Sequence, residues 1–441
     1  MPETFSVYVH LPYCAKRCPY CDFNTYVVHS IPEERYVETL LREIAFAAGQ
    51  QVWAGRRVAT VFFGGGTPSL FSPASVARLL HEVDRLWGMD ADPEITLEAN
   101  PGSLEGGGED KLRGFRSAGI NRVSFGAQSF NARHLATLGR IHSASETHGA
   151  FDAARRAGFD NISCDLIYGV PGQTPAEWEA DIRTAVSLGS EHVSAYCLTY
   201  EDGTPMTGMK KAGLVTAADE ETELEMFRRA REWFAAAGLA QYEVSNYARP
   251  GRESRHNLAY WTWRDYLGLG AGAHGFAANA APDAATAASD AATAASDAAT
   301  AASDAATAAS DAATAASDAA AAAPDADAAA PDAFPSWGRR YANVRLPELY
   351  MSARDGAWHA SEESLTREMA VSEYLMVGLR LAGGIDTAEF ERLFQGTIDE
   401  AAPRLASFIE GGLLAREAGA VTLTSRGLEI ADTVIPRLAA G

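Results

Sequence analysis

Three cysteines lie within eight residues near the start of the chain, Cys14, Cys18 and Cys21 in "CAKRCPYC", with the spacing C-x3-C-x2-C. Thiolates at such intervals can wrap a small inorganic core from a single loop, and as soft ligands they suit zinc or an iron–sulfur cluster. A structural zinc site needs a fourth ligand, which His10 or His29 would have to supply. A disulfide would leave one of the three sulfurs over. A 4Fe–4S cluster on three cysteines instead keeps one iron open to an outside ligand, which is what inner-sphere chemistry requires.

Other residues of chemical interest sit where short apolar runs end. "FFGGGTPSL" follows one such run, and Gly64, Gly65 and Gly66 permit close backbone approach to a ligand. It matches neither a dinucleotide fingerprint nor a phosphate loop. Glu98 closes "TLEANP", Gln128 lies in "SFGAQSFN", and Asp165 in "CDLIYGVPGQT". Ligands in β/α architectures bind at the carboxyl ends of strands, so these positions converge on one mouth.

The cysteine spacing, with aromatic Tyr20 before the last sulfur, resembles the signature of the radical S-adenosylmethionine superfamily. In that superfamily the open iron chelates the amino and carboxylate groups of S-adenosylmethionine. An electron from the reduced cluster then splits the sulfonium and releases a 5′-deoxyadenosyl radical. Within the superfamily the chain resembles the branch of oxygen-independent coproporphyrinogen III dehydrogenases and HemW-type heme chaperones. The carriers are "YVHLPYCAKRCPYCDFNTY", "FGGGTPSLF", "LEANPGS", "NRVSFGAQSFN", "CDLIYGVPGQT" and "VTLTSRG". The resemblance implies that Tyr8, Gly65 and Glu98 contact one S-adenosylmethionine. Tyr20, Gly66, Thr67, Gln128, Arg140 and Asp165 match positions that hold a second molecule in the dehydrogenase.

Two departures favour the chaperone side. The dehydrogenase motif continues to a further cysteine, where this chain has Phe23, and it follows a substantial N-terminal extension, whereas Tyr8 stands close to the start here. A third feature agrees: His256, Asn257, Tyr260 and Trp261 in "RHNLAYW" match the H-N-x-x-Y-W stretch of HemW-like proteins. A neutral imidazole can ligate heme iron, and Tyr and Trp offer flat surface to a porphyrin. The residues alone favour a buried histidine in an aromatic loop; the resemblance makes the stretch a candidate heme region. His274 is a weaker candidate. Cys164 and Cys197 read as small fillers within strands.

The expected function is therefore a heme chaperone that binds a 4Fe–4S cluster, S-adenosylmethionine and heme. Its expected partners are apo-hemoproteins and a low-potential donor such as flavodoxin or ferredoxin. The alternatives are oxidative decarboxylation of coproporphyrinogen III, and a zinc-stabilised scaffold carrying a winged-helix binding module.

These residues need a scaffold. "SVYVHLP", "VATVFF", "EITLEA", "NRVSFG", "NISCDLIYG" and "HVSAYCLTY" read as strands, and amphipathic stretches such as "PEERYVETLLREIAFAA" and "SPASVARLLHEVDRLW" separate them. Regular alternation predicts a parallel sheet with crossover helices. Six units are too few for a complete eight-stranded barrel, so a partial barrel and a doubly wound sheet both fit; the resemblance implies the former, and the expected fold class is α/β, a partial (β/α)6 barrel of the radical S-adenosylmethionine type. The C-terminal region reads as a small, mainly helical, winged-helix-like unit, with "GLLAREAGAVTLTSRG" as helix end, hairpin and return to helix. The expected division is 1–276 for the barrel, 277–335 for an insert and 336–441 for the C-terminal unit.

The insert repeats "AATAASD" five times from Ala284 to Asp318. Its seven-residue period has no large apolar residue to form a seam, so a coiled coil is excluded and a disordered segment is expected. It also distorts the composition. The net charge is −21, but nine aspartates between Asp283 and Asp332 account for part of it, leaving −12. An acidic remainder argues against general nucleic-acid binding. Five cysteines in 441 residues, without a leader or a long apolar stretch, point to a reducing cytoplasm, with peripheral membrane contact at most.

Overall fold

The computed structural model describes residues 3–104, 108–278 and 337–439. The repeat insert therefore lies outside the described residues, apart from its first two positions.

Six strands build the centre: β1 (Thr4–Leu11), β2 (Arg57–Gly65), β3 (Met89–Ala99), β4 (Arg122–Gln128), β5 (Ile162–Tyr168) and β6 (His192–Cys197). They pair in sequence order, each parallel to the next. Helices Glu33–Ala48, Pro73–Trp87, Glu109–Ala118, Ala144–Arg156 and Pro175–Ser187 make the crossovers. Local chemistry sets several starts. Ser72 caps the second helix with Pro73 at its first position, and Ser143 and Thr174 form capping boxes with Glu146 and Glu177. This is the partial α/β barrel expected.

The sheet is wider than six strands. β7 (Ala240–Glu243) and β8 (Asn246–Ala248) form a hairpin antiparallel to β6, dividing the single strand read in "AQYEVSNYA". On the other edge β9 (Tyr266–Leu269) runs parallel to β1, followed by antiparallel β10 (His274–Ala278), β11 (Gly338–Asn343) and β12 (His359–Ser364). The twelve-stranded order is β12-β11-β10-β9-β1-β2-β3-β4-β5-β6-β8-β7. Residues 338–364, assigned above to the C-terminal unit, thus belong to the barrel sheet, and Tyr350, Met351 and Trp358 join its core. The reason is hydrogen bonding: β11 completes the otherwise open edge of β10.

Strand alternation decides what the barrel encloses. In β1, Phe5, Val7, Val9 and Leu11 are buried in the core, leaving Ser6, Tyr8 and His10 on the opposite face. The same face carries Thr60 and Phe62 of β2, Glu98 of β3, Arg122 and Ser124 of β4, Asp165 of β5, and His192 and Ser194 of β6. A polar interior on an apolar jacket leaves room for a ligand.

The second core is built by helices Arg367–Gly378, Thr387–Phe394 and Ala431–Ala439 around Leu375, Leu379, Phe390, Phe394, Val434 and Leu438. A small sheet, β13 (Ile385–Asp386), β14 (Leu414–Glu417) and β15 (Ala420–Leu423), supplies the hairpin, as the winged-helix reading expects. Trp263 and Phe276 of the barrel insert into this core.

Candidate functional site

The cysteine loop leaves β1 at the carboxyl end of the sheet. Its base is closed by Tyr26 N–H donating to the Pro12 carbonyl (2.7 Å) and Cys14 N–H donating to the Tyr26 carbonyl (3.0 Å). Asn24 ties its tip to the sheet by donating to the carbonyls of Ala271 and Arg345, both at 2.9 Å. Gly272 is needed there, because a Cβ would lie 2.4 Å from Asn24 Nδ2.

Cys14, Cys18 and Cys21 are all free and partly exposed. Burial pushes the Cys14 and Cys21 thiols up, and each also feels its neighbours: Cys14 both others, Cys21 the Cys18 sulfur. Each sulfur has a hydrogen-bonding side chain beside it: Thr67 Oγ1 at 3.6 Å from Cys14 Sγ, Arg140 Nη1 at 3.5 Å from Cys18 Sγ, and Thr25 Oγ1 at 3.9 Å from Cys21 Sγ. The zinc alternative loses its internal ligand. Both ring nitrogens of His10 are engaged, with Tyr8 Oη (3.0 Å) and the Asn24 carbonyl (2.9 Å), and His29 lies exposed. Among the described residues no three His, Cys, Asp or Glu side chains are gathered to grip one metal ion.

Beside the loop opens a cavity of about 1040 Å³, at the upper end of the range for small-molecule sites. Of the residues expected to meet S-adenosylmethionine, Tyr8, Gly65, Glu98 and Asp165 line it. Glu98 accepts from Gly65 N–H at 3.1 Å. Burial, then repulsion from Asp165, pushes the Glu98 carboxyl up to about 8. Asp165 is also raised by burial, against hydrogen bonds from Ser124 Oγ at 3.0 and 3.1 Å. Burial raises the Tyr8 phenol.

The other expected contacts gather against the cysteine loop instead. Thr67 and Arg140 border a small cleft with Cys18. Arg140 Nη2 donates to the Gly126 carbonyl at 2.7 Å, and Gln128 adopts a left-handed backbone (φ 66°) at the end of β4. Tyr20 packs on the cluster of Leu138, Ile167, Val170 and Leu198.

The glycine run also has a reason within the chain itself. A Cβ on Gly65 (φ 112°) would lie 2.5 Å from His10 Cε1, and one on Gly66 would lie 2.6 Å from the Tyr13 carbonyl oxygen. The close approach these glycines allow is first to the chain itself.

The heme-region expectation divides. Asn257, Tyr260 and Trp261 line the cavity, and the indole N–H of Trp261 is buried without a hydrogen-bond partner among the described residues. His256 lines it too, held on both sides of its ring. It is 1% exposed, with Nδ1 2.7 Å from Thr60 Oγ1 and Nε2 2.8 Å from Tyr260 Oη, and burial lowers its pKa to about 3. Each ring nitrogen thus meets a hydroxyl, one donating and one accepting, while the residue borders the cavity. His274, the weaker candidate, lines the cavity exposed. Arg122, His192 and Ser194 also line it; the alternation of β4 and β6 was the available signal for them.

Comparisons with known proteins agree with this arrangement. Residues 8–185 match the model of the radical SAM superfamily, and residues 365–430 match that of the HemN C-terminal domain. The heme chaperone HemW of Bacillus subtilis is 31% identical, and the alignment covers 97% of each chain. The chain belongs to the HemW family. HemW of Escherichia coli is 40% identical over 61% of this chain and 69% of its own. HemN of E. coli, described as a coproporphyrinogen III oxidase and radical SAM enzyme, shares the fold at 19% identity, with a TM-score of 0.72 over 99% of this chain and 89% of that one. Membership of the superfamily implies a 4Fe–4S cluster and S-adenosylmethionine. Among the described residues no helix is long and apolar enough to cross a membrane.

Proposed function

We propose that this chain is a heme chaperone of the cytoplasm. Cys14, Cys18 and Cys21 would hold a 4Fe–4S cluster whose open iron takes S-adenosylmethionine, and the neighbouring cavity would receive heme for delivery to apo-hemoproteins. The donor set fits the cluster: three free thiols on one short loop, hydrogen-bonding side chains beside each sulfur, and no fourth cysteine on the loop. When bound, the cluster supplies an electron to the sulfonium, drawn from a low-potential donor such as flavodoxin or ferredoxin.

The chain's own groups have separable tasks. Glu98 is placed to pair with a cationic group of S-adenosylmethionine, and a positive charge there favours loss of its proton. Asn24 fixes the loop against β10 and β11. Tyr260 and Trp261 present aromatic surface to a flat ligand. Thr67 and Arg140 brace the loop from the other side through Cys14 and Cys18.

The observation that carries the reading is the match to a heme chaperone along 97% of both chains, with a large cavity opening directly beside the cysteine loop. Phe23, in place of a further cysteine, sets the chain apart from the dehydrogenase pattern. The test is anaerobic reconstitution with iron, sulfide and heme quantified, followed by heme transfer to an apo-hemoprotein. About one heme per chain, acid-labile sulfide and transfer are expected, without protoporphyrinogen formation from coproporphyrinogen. Absence of acid-labile sulfide, or turnover of coproporphyrinogen, would reject the proposal.

A further inference from the structure

Five of the eleven large apolar side chains left exposed among the described residues fall on two neighbouring segments. Phe23, Val27 and Val28 stand on or just after the cysteine loop, and Leu346 and Leu349 at the start of the helix Pro347–Ser352. Ties at both ends hold the segments side by side. Tyr26 Oη donates to the Arg345 carbonyl at 3.1 Å, and further along Arg35 pairs with Glu348 at 2.7 Å. Asn24, next to Phe23, donates to the same Arg345 carbonyl. Uncovered apolar residues gathered in this way mark a surface that meets another protein.

The charges at its rim have one sign. Lys16 and Arg17 lie exposed between Cys14 and Cys18, and neither has a carboxylate partner among the described residues. The Arg17 side chain reaches the Cys21 carbonyl at 3.4 Å, and that of Arg345 reaches Asn24 Oδ1 at 3.5 Å. The loop sets one acid against them, Asp22. The whole chain carries −21, so an acidic protein is repelled by the molecule at large and drawn to this place.

We propose that the apolar face around Val28 and Leu349, rimmed by Lys16, Arg17 and Arg345, docks a small acidic protein that donates single electrons to the cluster. This rests on the cluster reading given above and adds where its reductant binds. The electron lost by the donor's redox centre is gained by the cluster, and no bond of this chain forms or breaks. Electron transfer falls steeply with distance, so a donor must approach at the sulfur loop, where the two unpaired cations stand. Lys16, Arg17, Val28 and Leu349 do not line the cavity. The face is therefore centred on the sulfurs and not on the space where cargo would lie.

The experiment mixes full-length, cluster-reconstituted protein anaerobically with reduced flavodoxin and follows the loss of the cluster's visible absorption. Wild type is compared with the double variant Lys16→Glu/Arg17→Glu and with Leu349→Ser. Arg183→Glu, an exposed cation on the helix Pro175–Ser187, is the control. Photoreduced deazariboflavin, small and uncharged, reports reduction without docking. The wild-type rate with flavodoxin should fall as salt is added. The double variant should be slower by about tenfold at low salt and lose the salt dependence. Leu349→Ser should be several-fold slower with the salt dependence kept, and Arg183→Glu unchanged. Deazariboflavin should reduce all four proteins at one rate, which shows that the cluster itself is intact. If the double variant keeps the wild-type rate with flavodoxin, the docking surface is overturned while the cluster reading survives. If the variants take up electrons normally but pass heme to an apo-hemoprotein more slowly, the face belongs to the recipient and the donor assignment is overturned. If wild type carries no acid-labile sulfide, the cluster reading fails, and this inference with it.

Discussion

Glu98 and Asp165 face one cavity, and the charge on Asp165 raises the cost of ionising Glu98. A carboxyl whose folded pKa is raised stabilises the fold fully only below its ordinary value near 4.5, and that contribution is lost as pH climbs toward about 8. Glu98→Gln removes the ionisation penalty. The variant should therefore gain thermal stability over wild type progressively between about pH 5 and about pH 8, measured as the difference in melting midpoint. A difference that is flat or narrows over that range would show that Glu98 ionises without penalty in the fold. Glu98 was legible in the sequence because it lies near the carboxyl end of β3; Asp165 stands in the middle of β5, and the alternation pattern, not a strand end, turns it inward. The function of His256 was not legible in the same way. A histidine four residues before a tyrosine on a helix can meet it across one turn, and the Thr60 contact comes from a strand 196 residues away in sequence.

At the scale of elements, the helix Arg255–Trp261 is positioned by a residue on another strand. Glu94 of β3, 4% exposed, accepts from the backbone N–H groups of both Arg255 and His256 at 3.0 Å. These are the donors that a helix start leaves open, and a carboxylate there also complements the helix dipole. Glu94→Ala should cost about 2 kcal/mol of stability, with Glu94→Gln costing less because the amide oxygen can still accept one bond. Chemical denaturation of the two variants checks both size and order. The six parallel strands were readable because β-branched, apolar runs alternate with amphipathic helices, each long enough to show its period. β9 to β12 were not. "YLGL" and "HGFAA" are short and glycine-bearing, and β12, "HASEES", is an exposed edge strand with almost no apolar signature. Their order is set by hydrogen-bond pairing across a long sequence gap, which no local pattern announces.

For the whole molecule, the C-terminal unit is docked rather than merely tethered. Arg380 reaches back to the fully buried Glu243 at 3.2 Å and lies over the Trp261 ring at 4.5 Å, so the wall of the cavity and the second core share a side chain. The acidic repeat enters the fold between β10 and β11. The last described pair of that ladder is Ala278 opposite Gly338, and Ala278 N–H donates to Asp265 Oδ1 at 2.7 Å. Asp265 also accepts from Ser6 N–H near the start of β1, so the repeat departs from the amino-terminal end of the sheet, opposite the cysteine loop. Replacing residues 279–336 by a two-residue Asn-Gly turn should preserve melting midpoint, iron and sulfide content and heme uptake, measured side by side with the full chain. A loss of either cofactor would assign the repeat a part in the site.

That rung of the ladder is also a ready-made splice point. Its two strand ends already face each other as neighbours in an antiparallel pair, at the other end of the sheet from the cysteine loop. A fluorophore, an affinity handle or a whole reporter domain grafted there would travel with the protein while keeping clear of the cysteine loop.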